Sequence, residues 1–328
     1  MSFNDIIEQK SAVDILQEEI ESERINHAYL LLGKDGVGKR SLAFQFARAL
    51  LCEEADNDSC DQCINCQKID HYNHPDVKYI EIAEGANKLK IDQIREIQKE
   101  ISYKPYETDY KIYIIDDAEE MTPQAANSLL KTLEEPPSYA VIILLVEEIN
   151  RLLPTVISRC QHIRLSNIPR KKIRQELLDE GIDNNRSELL ARIARGSLGR
   201  ALELNENDQF LEYRTNLYDF LKDLYKMDTV NIFGQAEEMQ DLIKNNFPLF
   251  DLLSDWYRDI IIYKKGNQEE IINSDYRKGI KEQAEIYTIN ELLKIIDLLQ
   301  EYKGYIEKNV RKDLTIQVLL LKIRAKRL

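Results

Sequence analysis

The chain has 328 residues, and its 58 Asp and Glu outnumber 45 Lys and Arg to give a net charge of −13. Hydrophobic residues at 43% and charged residues at 31% are an ordinary globular balance, which excludes a wholly disordered chain, a collagen-like chain and a disulfide-dense small scaffold. No apolar run approaches the ~20 residues that span a bilayer, and the opening MSFNDIIEQK is neither basic nor apolar, so the expected location is the cytoplasm, away from membranes.

The length predicts two domains, or three small ones. Residues up to about 166 alternate apolar runs with helical patterns. The first predicted strand, Ala28–Leu32, leads into Gly33-Lys34-Asp35-Gly36-Val37-Gly38-Lys39, and a helical run over Ser41–Cys52 follows. Cys52, Cys60, Cys63 and Cys66 then fall within 15 residues. Next come a strand over Val77–Ile82 and a helix with Ile91, Ile94, Ile97 and Ile101 on one face. The strand Ile112–Ile115 ends in Asp116-Asp117. Thr122-Pro123 reads as an N-cap with proline at the first helical position. The helix it opens carries Ala125, Ala126, Leu129, Leu130 and Leu133, and Pro136-Pro137 ends it. Strands over Val141–Val146 and His162–Leu165 bracket Ser158-Arg159-Cys160. Continuous Ile/Val/Leu runs suit strands buried on both faces of a parallel sheet, and their alternation with helices predicts an α/β fold. Beyond residue 167 the strands disappear. Short helices surround a turn at Gly196-Ser197-Leu198-Gly199, a polar connection lies at Asn205-Glu206-Asn207-Asp208, and the rest is helical in pattern.

Gly33, Gly36, Gly38 and Lys39 form the GxxxxGK phosphate-binding pattern in its strand–loop–helix context. The glycines let backbone amides curl around phosphate, the helix N-terminus adds positive potential, and Lys39 reaches the outer phosphates. The next residue, a Ser or Thr where magnesium is held, is Arg40, and Ser41 comes one residue late, which turns it elsewhere on the helix. Two readings stand: a loop that binds ATP or ADP, and one that keeps its shape without nucleotide. Asp116 matches the strand-end acid that holds magnesium in P-loop ATPases. Asp117 stands where a glutamate orients the attacking water, one methylene short, and a shift of about 1 Å there costs of order a hundredfold in rate. The other reading of the pair is two solvated acids. Four closely spaced thiols in a reducing compartment suit a closed structural zinc site, with redox use of Cys63 and Cys66 the weaker reading. Arg159, by itself, reads as a surface arginine ahead of a strand.

Together these residues resemble the delta-prime subunits of the bacterial DNA polymerase III clamp loader, within the AAA+ class. The resemblance is carried by His27-Ala28-Tyr29-Leu30, the four-cysteine insertion, His74-Pro75-Asp76-Val77 and Ile91-Asp92-Gln93-Ile94-Arg95. It continues through Asn127 to Pro137, Leu153-Pro154-Thr155, Ser158-Arg159-Cys160 and Gly196 to Ala201. It covers residues 1 to about 205. It implies a RecA-like AAA+ core over 1–166 with a zinc-binding insertion, a small helical lid over 167–206, and an all-α collar over 207–328 for oligomerisation. It also implies partners: gamma/tau and delta subunits in a pentameric ring, the sliding clamp, and primed DNA reached mainly through the complex. In that family the ring uses ATP to open the clamp and close it around DNA. Arg159 matches the arginine finger that enters a neighbour's ATP site, where it stabilises charge on the transferring phosphoryl. Arg200 matches the second sensor arginine; the other reading is a structural arginine.

The departures imply a stator without ATPase activity of its own. Arg40 replaces the magnesium hydroxyl, Asp117 replaces the catalytic glutamate, and Val146-Glu147 replaces a polar sensor. The alternative is an active gamma/tau-type subunit, whose P-loop hydroxyl and Asp-Glu pair this sequence lacks. A zinc-dependent DNA-binding module is opposed by the net charge, because phosphates are met by clustered Lys and Arg. Lys322, Arg324, Lys326 and Arg327 offset the dipole of the last helix.

Overall fold

The computed structural model describes residues 2–207, 209–244, 247–308 and 310–325; Asp208, Lys326 and Arg327, named above, lie outside them. Among the described residues, five strands form one sheet: β1 (Ala28–Leu32), β2 (Val77–Ile80), β3 (Lys111–Ile115), β4 (Ala140–Val146) and β5 (Gln161–Arg164). Every pairing is parallel, in the order β2-β3-β4-β1-β5. The chain enters at β1, jumps to the β2 edge, returns strand by strand to β4, then crosses β1 to reach β5. Connections therefore diverge on either side of β1. Such a reversal opens a crevice at the carboxyl ends of the strands, where open parallel sheets bind ligands.

Alternation along the strands sets the two faces. Tyr29, Leu31, Ile112, Ile114, Ile143 and Leu145 pack with Leu42, Phe46 and Ala47 of helix Lys39–Leu51 and with Val13 and Leu16 of helix Lys10–Glu21. Leu30, Tyr113, Ile115, Ile142 and Leu144 face the other way, onto Ile94 and Ile97 of helix Ile91–Ile101 and Leu129 and Leu133 of helix Pro123–Glu134. All of β4 is buried, which explains its unbroken apolar sequence. The expected α/β fold with a parallel sheet is what the chain adopts. β2 stops at Ile80 rather than Ile82, and β5 starts one residue early. Thr122 caps its helix by accepting the Ala125 amide at 3.2 Å, with Pro123 first in the helix.

Asp76 carries no chemistry in the sequence motif, yet it is fully buried. Its carboxylate accepts the amides of Tyr106 at 2.7 Å, Glu107 at 2.8 Å and Thr108 at 3.2 Å, and the Thr108 hydroxyl at 3.1 Å. It ties the loop ahead of β3 to the start of β2.

The chain divides into two compact units, Met1–Ile182 with Ala194–Leu202, and Asp183–Ile193 with Glu203–Leu328. Regular structure among the described residues of the second unit is entirely helical. Trp256 and Tyr218 are fully buried there, and the Trp256 indole N–H donates to Gln283 Oε1 at 3.0 Å. Buried Arg214 pairs with Asp275 at 2.6 Å, donates to Asn273 Oδ1 at 2.8 Å and lies over the Tyr218 ring at 4.8 Å, so its charge is compensated. Thr288 and Glu291 cap helix Ile289–Glu307 reciprocally. No described helix is long and apolar enough to cross a membrane.

Replacing Asp76 with alanine leaves three backbone amides and the Thr108 hydroxyl without their acceptor. Asp76→Ala is expected to cost about 3 kcal/mol or more, read as a lower urea midpoint at unchanged slope. Asp76→Asn keeps an acceptor and should cost less.

Candidate functional site

A cavity of about 440 Å³ opens at the carboxyl end of β1. Asp35 to Ser41 form one wall and Asp116 a second; the third is apolar, from Ile6, Ile7, Ile168, Leu198 and Leu202. The volume lies in the range of small-ligand pockets. Gly36 and Gly38 adopt φ of 68° and 105°, the left-handed region that glycine enters without strain. Gly38 is the N-cap of helix Lys39–Leu51, whose first amides lack intrahelical partners and favour an anion. Lys39 is buried, and its Nζ donates to the carbonyls of Gly33 at 2.8 Å and Lys34 at 3.1 Å within its own loop.

The turn at Gly196–Gly199 closes onto this loop. The Gly199 amide donates to the Gly36 carbonyl at 2.9 Å, and a Cβ on Gly36 would meet Ser197 Oγ at 2.3 Å. The same contact brings the Arg200 amide within 2.9 Å of that position, although Arg200 does not line the cavity.

The magnesium side of the loop is occupied by the protein itself. The Arg40 guanidinium lies 4.1 Å from the centroid of the Tyr79 ring, with Tyr72 at 5.5 Å and Phe44 at 6.0 Å. For an exposed arginine such as this one, contacts of this kind contribute about 0.5–1 kcal/mol. The Tyr79 hydroxyl donates to Asp116 Oδ2, and the Asp117 amide donates to Oδ1 at 3.0 Å. Burial, reinforced by the bond to Asp116, pushes the Tyr79 phenol far above its ordinary value, so it remains a donor. An arginine in place of the hydroxyl, with both Asp116 oxygens already engaged, does not fit a magnesium ion. Ser41, which its position on the helix would turn elsewhere, borders the cavity beside Arg40.

Asp117 lies outside the lining, at a φ of 45°. Its side chain reaches solvent, yet partial desolvation and the negative Asp116, Glu119 and Asp35 push its carboxyl up to about 6, against the pull of Lys39. Glu119 is buried and accepts the amides of Glu147 at 2.7 Å and Glu148 at 3.1 Å. β4 ends at buried Val146, and neither Val146 nor Glu147 lines the cavity. Arg159 is also outside the lining. Its guanidinium donates to Glu134 Oε1 at 2.7 Å and to the Thr155 carbonyl at 2.9 Å, while 34% of the side chain stays exposed.

The cavity therefore brings together Gly36, Gly38, Lys39 and Asp116, with Gly33 behind the loop as an acceptor for Lys39. The sequence reading missed Ile6, Ile7 and Gln9. Buried Gln9 donates to Ser166 O at 2.8 Å and Val37 O at 3.3 Å and accepts the Ser166 amide at 2.8 Å, bracing the P-loop from the N-terminal side. No period or motif marks it, because its partners are distant in sequence.

The second site is the cysteine insertion. The sulfurs of Cys52, Cys60, Cys63 and Cys66 all lie within 4.8 Å of one another. Cys60 Sγ accepts the amides of Cys63 at 3.2 Å and Gln62 at 3.4 Å, and Cys63 Sγ accepts the Cys66 amide at 3.4 Å. Asp61, at a φ of 58°, makes the turn between them. Burial raises the Cys63 thiol, but the amides of Cys66 and Glu53 outweigh it and bring it down to about 7. Four converging thiols with amide donors fit a metal ion, and the cluster could hold one. Cys160 stands apart, its thiol pushed up to about 12 by burial. Asp58 anchors the insertion, accepting the Phe3 amide at 3.0 Å and the Gln45 side-chain amide at 2.6 Å.

A parallel sheet in this order, with a glycine-rich loop and lysine after β1 and an acidic pair after β3, defines a P-loop protein of the RecA-like AAA+ class. A family model described as "DNA polymerase III, delta subunit" matches residues 8–169, and one described as "DNA polymerase III, delta subunit, C terminal" matches 208–325. The chain belongs to the clamp-loader family of DNA polymerase III. It is 32% identical over 319 residues to DNA polymerase III subunit delta' of Bacillus subtilis, covering 96% of each chain. It is 28% identical over 325 residues to subunit tau of the same organism, covering 90% of this chain and 57% of that protein. Against subunit tau of Escherichia coli it is 34% identical over 214 residues, 62% of this chain and 32% of the other. A gamma subunit-related protein of Thermotoga maritima superposes at a TM-score of 0.48 with 21% identity, covering 97% of this chain and 100% of that one.

Asp117 has a higher pKa folded, about 6, than its ordinary 3.8. Its stabilising share is thus present below about pH 4 and lost as pH rises through about 6. Asn tolerates the left-handed backbone. Asp117→Asn is expected to raise Tm at pH 7.5 by about 2 °C and to lose most of that gain at pH 4, as thermal melts at the two pH values would show.

Proposed function

We propose that this chain is a delta-prime-type stator of the DNA polymerase III clamp loader, which does not turn over ATP itself and supplies Arg159 in trans to a neighbour's ATP site. The observation that carries this is the occupied magnesium side of its own P-loop: Arg40 stacked on Tyr79, and Asp116 bonded to Tyr79 and to the Asp117 amide. The end-to-end likeness to a delta' subunit supports it.

Arg159 suits a role in trans. Glu134 and the Thr155 carbonyl hold its planar fork in one orientation while part of it stays open to another subunit. A pre-oriented guanidinium loses little freedom when it meets a transferring phosphoryl. Arg200, brought beside the P-loop by the Gly36–Gly199 contact, is the second sensor. The partners are gamma/tau and delta subunits in a pentameric ring, the sliding clamp, and primed DNA through the complex.

The proposed parts are an AAA+ core over 1–166, a lid over 167–206 and a collar over 207–328. The family matches, which end at 169 and begin at 208, support these limits. The helices of the lid are divided between the two compact units, with Arg170–Asp179 in the first, Asn184–Ile193 in the second and Leu198–Glu206 split after Leu202. Cys52, Cys60, Cys63 and Cys66 hold a structural zinc ion, which ties the end of helix Lys39–Leu51 to helix Ile64–Asp70; four thiolates leave no open position for catalysis.

A second reading, an ATP-hydrolysing gamma/tau-type subunit, draws on the tau similarities and on Lys39. Steady-state ATP hydrolysis by the purified chain, with magnesium and primed DNA, separates the two. No turnover is expected; turnover abolished by Lys39→Ala would sink the stator reading. In a reconstituted loader, Arg159→Ala should slow the one site it serves by about a thousandfold, seen as loss of that site's share of total ATPase. Arg159→Lys should not restore it. Metal analysis should find one zinc per chain, and Cys63→Ser should release it and lower the melting temperature.

A further inference from the structure

Lys39 and Arg40 stand side by side in the first turn of the helix, and both line the cavity. In a magnesium-dependent P-loop the second of these positions carries the metal's hydroxyl ligand. Here it carries a cation, whose guanidinium lies 4.1 Å from the centroid of the Tyr79 ring. The hydroxyl of that same tyrosine occupies Asp116, the other ligand position. Magnesium needs near-octahedral oxygen ligands. Arginine offers none, repels the ion, and donates hydrogen bonds suited to phosphate instead. The two halves of a metal site are thus bridged by protein: guanidinium on ring, hydroxyl on carboxylate.

We infer that this cavity takes a nucleoside diphosphate without a divalent metal, with Arg40 supplying the positive charge that magnesium supplies elsewhere. The inference deepens the stator reading and rests on it for the identity of the cavity. The charge in the lining selects the diphosphate over the triphosphate. Three carboxylates, Asp5, Asp35 and Asp116, face two cations, Lys39 and Arg40. Without a metal, one further phosphate adds charge that nothing in the lining neutralises. The apolar wall of Ile6, Ile7, Ile168 and Leu202 is suited to the base. Lys39, now bonded to loop carbonyls, exchanges those acceptors for phosphate oxygens.

The test is fluorescence anisotropy of a labelled ADP on the full chain. One arm uses buffer stripped of magnesium by resin, so that the cysteine cluster meets no chelator, and the other uses millimolar magnesium. Affinities in the two buffers should agree within about twofold, and Arg40→Ala should weaken both by at least about tenfold. The double variant Arg40→Ser with Tyr79→Phe restores a hydroxyl and frees Asp116, so magnesium should tighten its binding. Wild-type binding that appears only with magnesium overturns the inference, as does the absence of binding in both buffers. The stator reading is judged separately, by ATP turnover and by Arg159→Ala. Absent binding with absent turnover removes this inference and leaves that reading standing.

Discussion

A parallel sheet has to be covered on both faces, and this chain depends on that constraint. β4 is buried along its whole length between β3 and β1, so helices must lie above and below it. Covering both faces forces each strand to be followed by a crossover. It also places the P-loop, Asp116 and the end of β4 at one edge of the sheet, at the carboxyl ends of β1, β3 and β4. The cavity is a product of this layering. Its floor is the diverging connections around β1, and its walls are whatever the neighbouring loops supply.

Those loops are held by contacts far apart in sequence. Gly36 and Gly199 meet backbone to backbone, Gln9 spans Val37 and Ser166, and Glu119 fixes the amides of Glu147 and Glu148. Two of them satisfy buried side chains, Gln9 and Glu119, that would otherwise be costly. The first two contacts brace the P-loop on two sides. The Arg40–Tyr79–Asp116 chain belongs to the same pattern, joining the start of the helix, β2 and the end of β3.

The motifs of the site were legible because each is local. The strand–loop–helix run of Gly33 to Lys39, the acid pair after β3 and the cysteine spacing depend on neighbours a few residues away; Gly36, Gly38, Lys39 and Asp116 meet at the cavity and the four sulfurs converge, while Asp117 lies outside the lining. The Thr122-Pro123 cap and the Ile91–Ile101 stripe were legible for the same reason. Arg40 was visible as a departure, but its partner was not. Tyr79 lies on another strand, and nothing in its sequence neighbourhood distinguishes it from a tyrosine filling the core. Gln9 and Asp76 were equally silent, because a buried hydrogen bond to a distant loop leaves no periodic trace.

By itself, the amino-acid sequence determined the α/β pattern, the order of strands and helices, the phosphate-loop and cysteine motifs, and the missing magnesium hydroxyl. These follow from periodicity and short spacing, which act over one or two turns of chain. Only the tertiary structure decided which strand lies beside which, which side chains close the cavity, and that Arg40 and Asp116 are joined through one tyrosine. Those outcomes depend on contacts between segments tens of residues apart, and close packing of the two covered faces is what brings such segments together.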